Sequence, residues 1–317
     1  MRVYTLSKND DIFLGFEEGG ELLDLTKAIT IYEASRDNHF GEFYRDMGDL
    51  IRENLFTLGY LGEVMDFVME HGLASRLAVG EGIGIEPPLR PGKIIALGNN
   101  YTNHIREMNQ KVPDAPVLFG KWPSTVIGHG DPILKPGWIG SMSYEAELAF
   151  IISRPARNVP ASEAMDYVAG YTCVNDVTAR DIQRKDIARS LPWMPSKNFD
   201  TFCPMGPCVL LADAAWGPRV SGSLCGHMRS MKEPPESPAF GVQSRVNGEL
   251  RQDGNTRDLI FNIPTVIEYI TKIMMLEPGD VVSTGTPEGV GFIEPGDTVD
   301  ITCTGIGTLS NPVVAPR

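Results

Sequence analysis

Tyr144-Glu145-Ala146-Glu147-Leu148-Ala149-Phe150-Ile151-Ile152 is the stretch on which the reading turns. In an extended chain, successive side chains point to opposite faces. Tyr144, Leu148, Phe150 and Ile152 then share a core face, while Glu145 and Glu147 share the other, about 7 Å apart along the strand. Two carboxylates on one side of so apolar a strand repel unless solvent or a cation separates them. Hard carboxylate oxygens select Mg²⁺, Mn²⁺ or Ca²⁺ over zinc. The same pattern also describes an edge strand with a wet acidic face, and this segment alone leaves both readings open.

Downstream, Val174-Asn175-Asp176-Val177-Thr178-Ala179-Arg180-Asp181-Ile182-Gln183 places Asp176 where an apolar strand, Tyr171–Val174, enters a turn. Strand ends combine a rigid backbone with a side chain free to reach a cleft, so Asp176 is a third candidate ligand. Arg180 and Gln183 follow at spacings of four and seven, which puts them on its face if the turn is helical. A helix cap at Asp176 fits equally well. Upstream, Gly98-Asn99-Asn100-Tyr101-Thr102-Asn103-His104-Ile105-Arg106-Glu107 sets His104 and Glu107 three residues apart. One helical turn joins them, and a carboxylate behind an imidazole fixes its tautomer and raises its basicity.

Around these blocks the chain reads as strands. Ile94–Leu97, Tyr144–Ile152, Val209–Leu211, Gln243–Val246, Val281–Ser283 and Thr298–Thr302 are short apolar runs between turns. His104–Met108 and Ser162–Met165 begin helical or ordered segments, and Thr265–Met275 is an amphipathic helix. The 33 glycines and 24 prolines fit many turns better than a helical bundle. The expected fold is mixed α+β, mainly β, with a folded-over β-sheet core. Residues 1–92 form a small N-terminal α+β domain, with strands at Val3–Leu6 and Ile12–Phe16 and helical spacing over Leu22–Ala34 and Phe43–His71. Residues 93–317 are expected to form a second, larger domain that carries the candidate site residues, interrupted by a Gly/Ser/Pro-rich loop at 215–241.

The formal charge of -13 argues against nucleic acid and anionic membrane as partners. It also makes an anionic substrate awkward unless a cation sits in the site. Five scattered cysteines without zinc-finger spacing read as reduced thiols of a cytoplasmic protein. The acidic start offers no signal-peptide core, and no apolar run of about 18 residues exists to span a membrane.

The ordered blocks from Lys93 to Pro312 resemble the fumarylacetoacetate hydrolase family. Besides those quoted, they include Ser196-Lys197-Asn198-Phe199-Asp200, Gly206-Pro207, Val246-Asn247-Gly248-Glu249, Pro278-Gly279-Asp280 and Thr284-Gly285-Thr286-Pro287-Glu288-Gly289-Val290-Gly291. The resemblance implies Glu145, Glu147 and Asp176 as ligands of Mg²⁺ or Mn²⁺, with Ca²⁺ as a substitute that crystallisation can introduce. It implies His104 and Glu107 as a water-activating pair, Lys197 as a third catalytic group, and Arg180, Gln183 and Thr286 as substrate contacts. No organic cofactor is expected. Where the animal hydrolase carries an extra aspartate ligand, this chain has Asn99 and Asn100, as in shorter bacterial and mitochondrial members, which argues against fumarylacetoacetate itself.

The expected activity is metal-assisted hydrolysis of a carbon–carbon bond in an acylpyruvate or related 2,4-dioxo acid, with the departing fragment leaving as a pyruvate enolate whose charge the cation offsets. The same site suits a 2-oxo acid decarboxylase of the oxaloacetate type, or an oxo-acid isomerase or hydratase. The resemblance further implies a homodimer, a small anionic 2-oxo acid as partner, and a place in the catabolism of aromatic compounds or sugar acids. The 105–121 segment is expected to close over the metal, and Arg184, Arg189 and Trp193 to meet the distal end of the substrate.

Overall fold

Ala146–Ile152 lies near the middle of the largest sheet, pairing antiparallel with Val168–Asn175 on one side and with Val281–Ser283 on the other. It is therefore not an edge strand. The computed structural model describes residues 1–36, 44, 46–107, 111–215 and 237–316. Across the sheet the strand order is Glu21–Asp24, Asp11–Glu18, Arg2–Lys8, Cys203–Leu211, Val168–Asn175, Ala146–Ile152, Val281–Ser283, Ile94–Gly98 and Val117–Lys121. Val281–Ser283 and Ile94–Gly98 run parallel, and the other neighbours in this path run antiparallel.

All seven residues of Ala146–Ile152 are buried, because both faces of the sheet are covered. On one face, Leu148, Phe150, Ile152 and Tyr171 pack with Val242, Val246, Val299, Ile301 and Leu309. Those partners belong to a second sheet ordered Glu249–Asn255, Gly241–Val246, Thr298–Cys303, Gly307–Val314 and Ile133–Leu134. This is the folded-over β-sheet core expected from the strand-rich, Gly- and Pro-punctuated sequence. Helix Ile263–Ile273 closes the same core with Ile263, Val266, Ile267 and Ile270, whose spacing of three and one puts them on one stripe. On the other face, Ala149, Ile151, Val174 and Val209 meet Leu25, Ile29, Leu50, Leu61 and Val64 from the N-terminal segment.

The N-terminal strands extend the large sheet through the Val3↔Val209 register. Two helices differ from the sequence expectation there. Leu22 and Leu23 belong to strand Glu21–Asp24, and the helix occupies Leu25–Ser35 because the Asp24 carboxylate accepts from Lys27 N–H as an N-cap. The Phe43–His71 periodicity splits into Met47–Arg52 and Leu58–Glu70. Asn54 breaks it with a φ of 56°, and the Thr57 hydroxyl caps the second helix. Phe43 itself, 108–110 of the segment expected to close over the metal, and 216–236 of the predicted loop lie outside the described residues.

Further along, Ser162–Met165 belongs to a 3-10 helix, Ala161–Tyr167, and the amphipathic helix starts two residues earlier than its apolar spacing suggested. Cys173, Cys203, Cys208 and Cys303 are buried free thiols. Among the described residues no helix is long and apolar enough to cross a membrane.

Candidate functional site

Pairing of two central strands builds the acidic cluster. Ala146 faces Asn175 across the ladder, so the residues just outside the strand ends, Glu145 and Asp176, become neighbours. Asp176 N–H donates to the Glu145 carbonyl at 2.9 Å. The Asn175 side chain accepts from Glu145 N–H at 3.0 Å. Glu145 thus precedes the strand rather than lying within it, as Tyr144 also does. Glu147, inside the strand, accepts on Oε2 from the Ser283 hydroxyl and from Gly285 N–H at 3.0 Å. Glu145, Glu147 and Asp176 are all buried, and each offers a carboxylate oxygen within 4.8 Å of the others.

Three cations face these carboxylates. Lys197, at the end of the short helix Met194–Lys197, donates to Glu145 Oε2 at 2.7 Å and also to Asp176 Oδ2. Arg180 donates to Glu145 Oε1, to Ser143 Oγ at 2.8 Å and to Gln183 Oε1 at 2.7 Å. Lys121, at the end of Val117–Lys121, donates to Asp176 Oδ1 at 2.7 Å and to the Lys197 carbonyl at 2.5 Å. Arg180 opens helix Arg180–Ala188, so Arg180 and Gln183 share one turn while Asp176 lies outside it. The expected common helical face of the three is therefore absent, and so is the alternative cap at Asp176; Ser143 and Glu145 orient Arg180 instead.

The charges distribute unevenly. Burial by itself raises the Asp176 carboxyl, but the ammonium groups of Lys121 and Lys197 outweigh it and hold the group at about 2. Glu147 has no ion-pair partner among the described residues. Burial, reinforced by the negative charges of Asp176 and Glu145, pushes its carboxyl up to about 8. Burial works against the Lys197 ammonium, yet Asp176 and Glu145 raise its affinity for the proton. A buried carboxylate without a counter-ion, with an oxygen of each of two others within 4.8 Å, is the setting a hard divalent cation satisfies. The all-oxygen donor set therefore fits Mg²⁺ or Mn²⁺.

His104 closes the other side. Helix Thr102–Glu107 brings its Nδ1 to 3.3 Å from Glu107 Oε2. Glu107 is held in turn by Gly289 N–H at 3.3 Å. Engagement of Nδ1 leaves Nε2 as the nitrogen free to exchange a proton. Gly289 has φ of +92°, and a Cβ there would lie 2.2 Å from the Arg251 carbonyl, so no larger residue keeps this N–H in place.

His104, Glu145, Glu147, Arg180, Gln183, Lys197 and Thr286 line one pocket, together with Leu97, Phe119, Ile187 and Trp193. Asp176 lies beneath it and Glu107 stands behind His104, so all nine residues singled out in the sequence converge on one place. The Thr286 hydroxyl donates to the Ala146 carbonyl at 2.9 Å and accepts from Gln252 at 2.8 Å. Its one proton is committed within the protein, which makes it a brace between the strand and the 284–287 loop. Arg184 and Arg189 are exposed and do not line the pocket.

Sequence reasoning gave no role to Lys121, Ser283, Asn175 or Gln252. A lysine after Val117-Leu118-Phe119-Gly120 was the one signal available for the first of these. Gln252 reaches from the second sheet to accept from Ala146 N–H at 3.0 Å and to donate to the Pro287 carbonyl at 2.8 Å.

Comparison with known proteins agrees with the geometry. Residues 93–314 match the sequence profile described as "Fumarylacetoacetate (FAA) hydrolase C-terminal". The chain is 34% identical, over 325 aligned residues, to oxaloacetate tautomerase fahd2, mitochondrial, of Xenopus laevis, covering 99% of this chain and 90% of that protein. It is 41% identical over 238 residues to oxaloacetate tautomerase YisK of Bacillus subtilis (strain 168), covering 72% and 71%. Maleylpyruvate hydrolase from Sphingobium sp. SYK-6, solved in complex with manganese (II) ion and pyruvate, is similar in structure with a TM-score of 0.69, at 29% identity over 100% of both chains.

Proposed function

Because the chain belongs to the fumarylacetoacetate hydrolase family, its 93–314 segment matching that family's profile, we propose that it hydrolyses a carbon–carbon bond of an acylpyruvate or related 2,4-dioxo acid with a divalent metal. The observation that carries this reading is the His104–Glu107 pair standing across the pocket from the three carboxylates. Glu145, Glu147 and Asp176 would hold Mg²⁺ or Mn²⁺. Bound there, the cation supplies Lewis-acid polarisation of the substrate's oxo and carboxylate oxygens and offsets the charge of an anionic guest.

The chain's own groups do the rest. Arg180, Gln183 and Lys197 orient the oxygens of the 2-oxo acid head. His104 takes a proton from water, with Glu107 stabilising the imidazolium through Nδ1. The hydroxide adds to the distal carbonyl, and the bond between that carbon and C3 breaks. Its electron pair moves into an enolate over C3, C2 and the 2-oxo oxygen, which is then protonated to pyruvate, while the acyl fragment leaves as a carboxylate. Lys197 would offset the charge that develops on that oxygen, a contribution typically worth about 3 kcal/mol.

A second reading is favoured by the full-length likeness to an oxaloacetate tautomerase. Tautomerisation uses the same head-group binding and moves one proton between C3 and the 2-oxo oxygen, with His104 as carrier and no water consumed. The two are separated by supplying metal-stripped protein with Mg²⁺ or Mn²⁺ and following two signals: pyruvate release from acetylpyruvate, and the decay of enol absorbance of oxaloacetate. Metal-dependent pyruvate release above the uncatalysed rate supports hydrolysis. Enol decay alone would leave the tautomerase.

A further inference from the structure

Resting on the proposed function, we infer that the distal group of the substrate is uncharged and apolar, with Trp193 and Phe119 selecting it. Glu145, Glu147, Arg180, Gln183 and Lys197 form the charged floor of the pocket, where both lining cations, Arg180 and Lys197, are already paired with carboxylates. The remaining wall is Leu97, Gly98, Phe119, Ile187 and Trp193, with the uncharged amide of Asn99 beside them. Among the described residues no further Lys or Arg lines the pocket to receive a second carboxylate. Arg184 instead stacks over Phe292 at 5.7 Å, and Arg189 is exposed.

The wall is built rather than incidental. The rings of Phe119 and Trp193 lie 6.0 Å apart at a tilt of 57°. Gly98 makes room for the indole, since a Cβ there would come within 2.5 Å of it. Phe119 also faces the Lys197 ammonium at 5.1 Å, so this ring joins the charged floor to the apolar wall. A second carboxylate placed against that wall exchanges hydration for hydrocarbon, whereas a phenyl or alkyl group gains from leaving water. Ile187, 48% exposed, stands at the mouth and lets a longer chain extend outward.

The test uses stable 2-oxo acids that share the head group and differ only distally: pyruvate, phenylpyruvate and 2-oxoglutarate. Their affinities are measured by calorimetry on the full chain with saturating Mg²⁺. Phenylpyruvate is expected to bind at least about tenfold more tightly than 2-oxoglutarate. Trp193→Ala should weaken phenylpyruvate more than pyruvate, and Trp193→Arg should reverse the preference towards 2-oxoglutarate. Equal or tighter binding of 2-oxoglutarate by the wild type overturns the inference while leaving the proposed function standing. So does an equal loss for all three acids in Trp193→Ala when the variant melts like the wild type. Failure of every 2-oxo acid to bind with metal present overturns the proposed function itself, and the inference with it.

Discussion

Lys121 Nζ lies 2.7 Å from Asp176 Oδ1, and neither side chain reaches solvent. This ammonium occupies one oxygen of Asp176 and leaves Oδ2 directed at Lys197 and the other carboxylates. Three carboxylates and Lys121 carry a net charge that one divalent cation neutralises, so the positive charge of Lys197 and Arg180, paired as they are with Glu145 and Asp176, remains to balance the substrate's anionic head group. Lys121→Met keeps an unbranched side chain one atom shorter and deletes its charge. Removing one partner of a buried pair costs about 3–5 kcal/mol, reduced here because Lys197 still faces Asp176. We expect urea denaturation of the metal-free variant to show a loss of about 2 kcal/mol or more. A change within about 0.5 kcal/mol, the range of an ordinary surface substitution, would show that the pair is not holding Asp176.

Glu147 gives a pH signature. Its carboxyl is raised from an ordinary 4.5 to about 8 by burial and then by Asp176 and Glu145, so the metal-free fold retains a proton that the unfolded chain releases. That stabilisation is complete below pH 4.5 and is lost as pH rises through about 8. Asp176 behaves oppositely: held at about 2, it stabilises the fold above its ordinary 3.8 and loses that effect as pH falls through about 2. A metal ion must displace the Glu147 proton, so apparent Mg²⁺ affinity should rise about tenfold per unit from pH 6 towards 8. Calorimetry in buffers of different ionisation heat measures the released proton directly. Affinity that is flat over this range would contradict the assignment.

Replacing His104 by Ala should lower kcat by about 10²–10⁴ while leaving metal affinity within about threefold, because His104 is not one of the carboxylate ligands. Glu107→Gln should cost less, since the amide oxygen still accepts from Nδ1 and keeps the imidazole oriented while its charge is lost. Steady-state rates and calorimetry on the same preparations check both. Loss of metal binding in His104→Ala would place the imidazole among the ligands instead.

Gly289 offers a backbone test. Its φ of +92° and the 2.2 Å approach of a Cβ to the Arg251 carbonyl mean that Gly289→Ala must displace the loop whose N–H holds Glu107. The expected result is a stability loss of about 1–3 kcal/mol with a fall in kcat larger than the change in KM. Gly248→Ala, also at positive φ but with open space around it, should lose stability with no effect on kcat.

Much of this site was legible because its chemistry conflicts with its surroundings. One glutamate at the head of an apolar strand, a second inside it and an aspartate at the end of its neighbour are out of place in a core. A histidine three residues from a glutamate is a local pattern that one helical turn completes. Lys121 was not legible, since a lysine ending a short apolar strand reads as a solvated terminus and its partner is 55 residues away. Gln252 was hidden for the same reason, 106 residues from the backbone it braces. The helix boundaries at Leu25 and Asn54 depended on caps and one left-handed residue, which compete with apolar spacing and won locally.

Divalent-metal binding by the three carboxylates is the central claim, and Mn²⁺ titration followed by electron paramagnetic resonance tests it most directly. Metal-stripped wild type should bind one Mn²⁺ per chain. Glu147→Gln and Asp176→Asn, each shown to be folded by its melting curve, should weaken that binding at least about tenfold. A wild-type chain that binds no Mn²⁺, or variants that bind it as tightly as the wild type, would contradict the account.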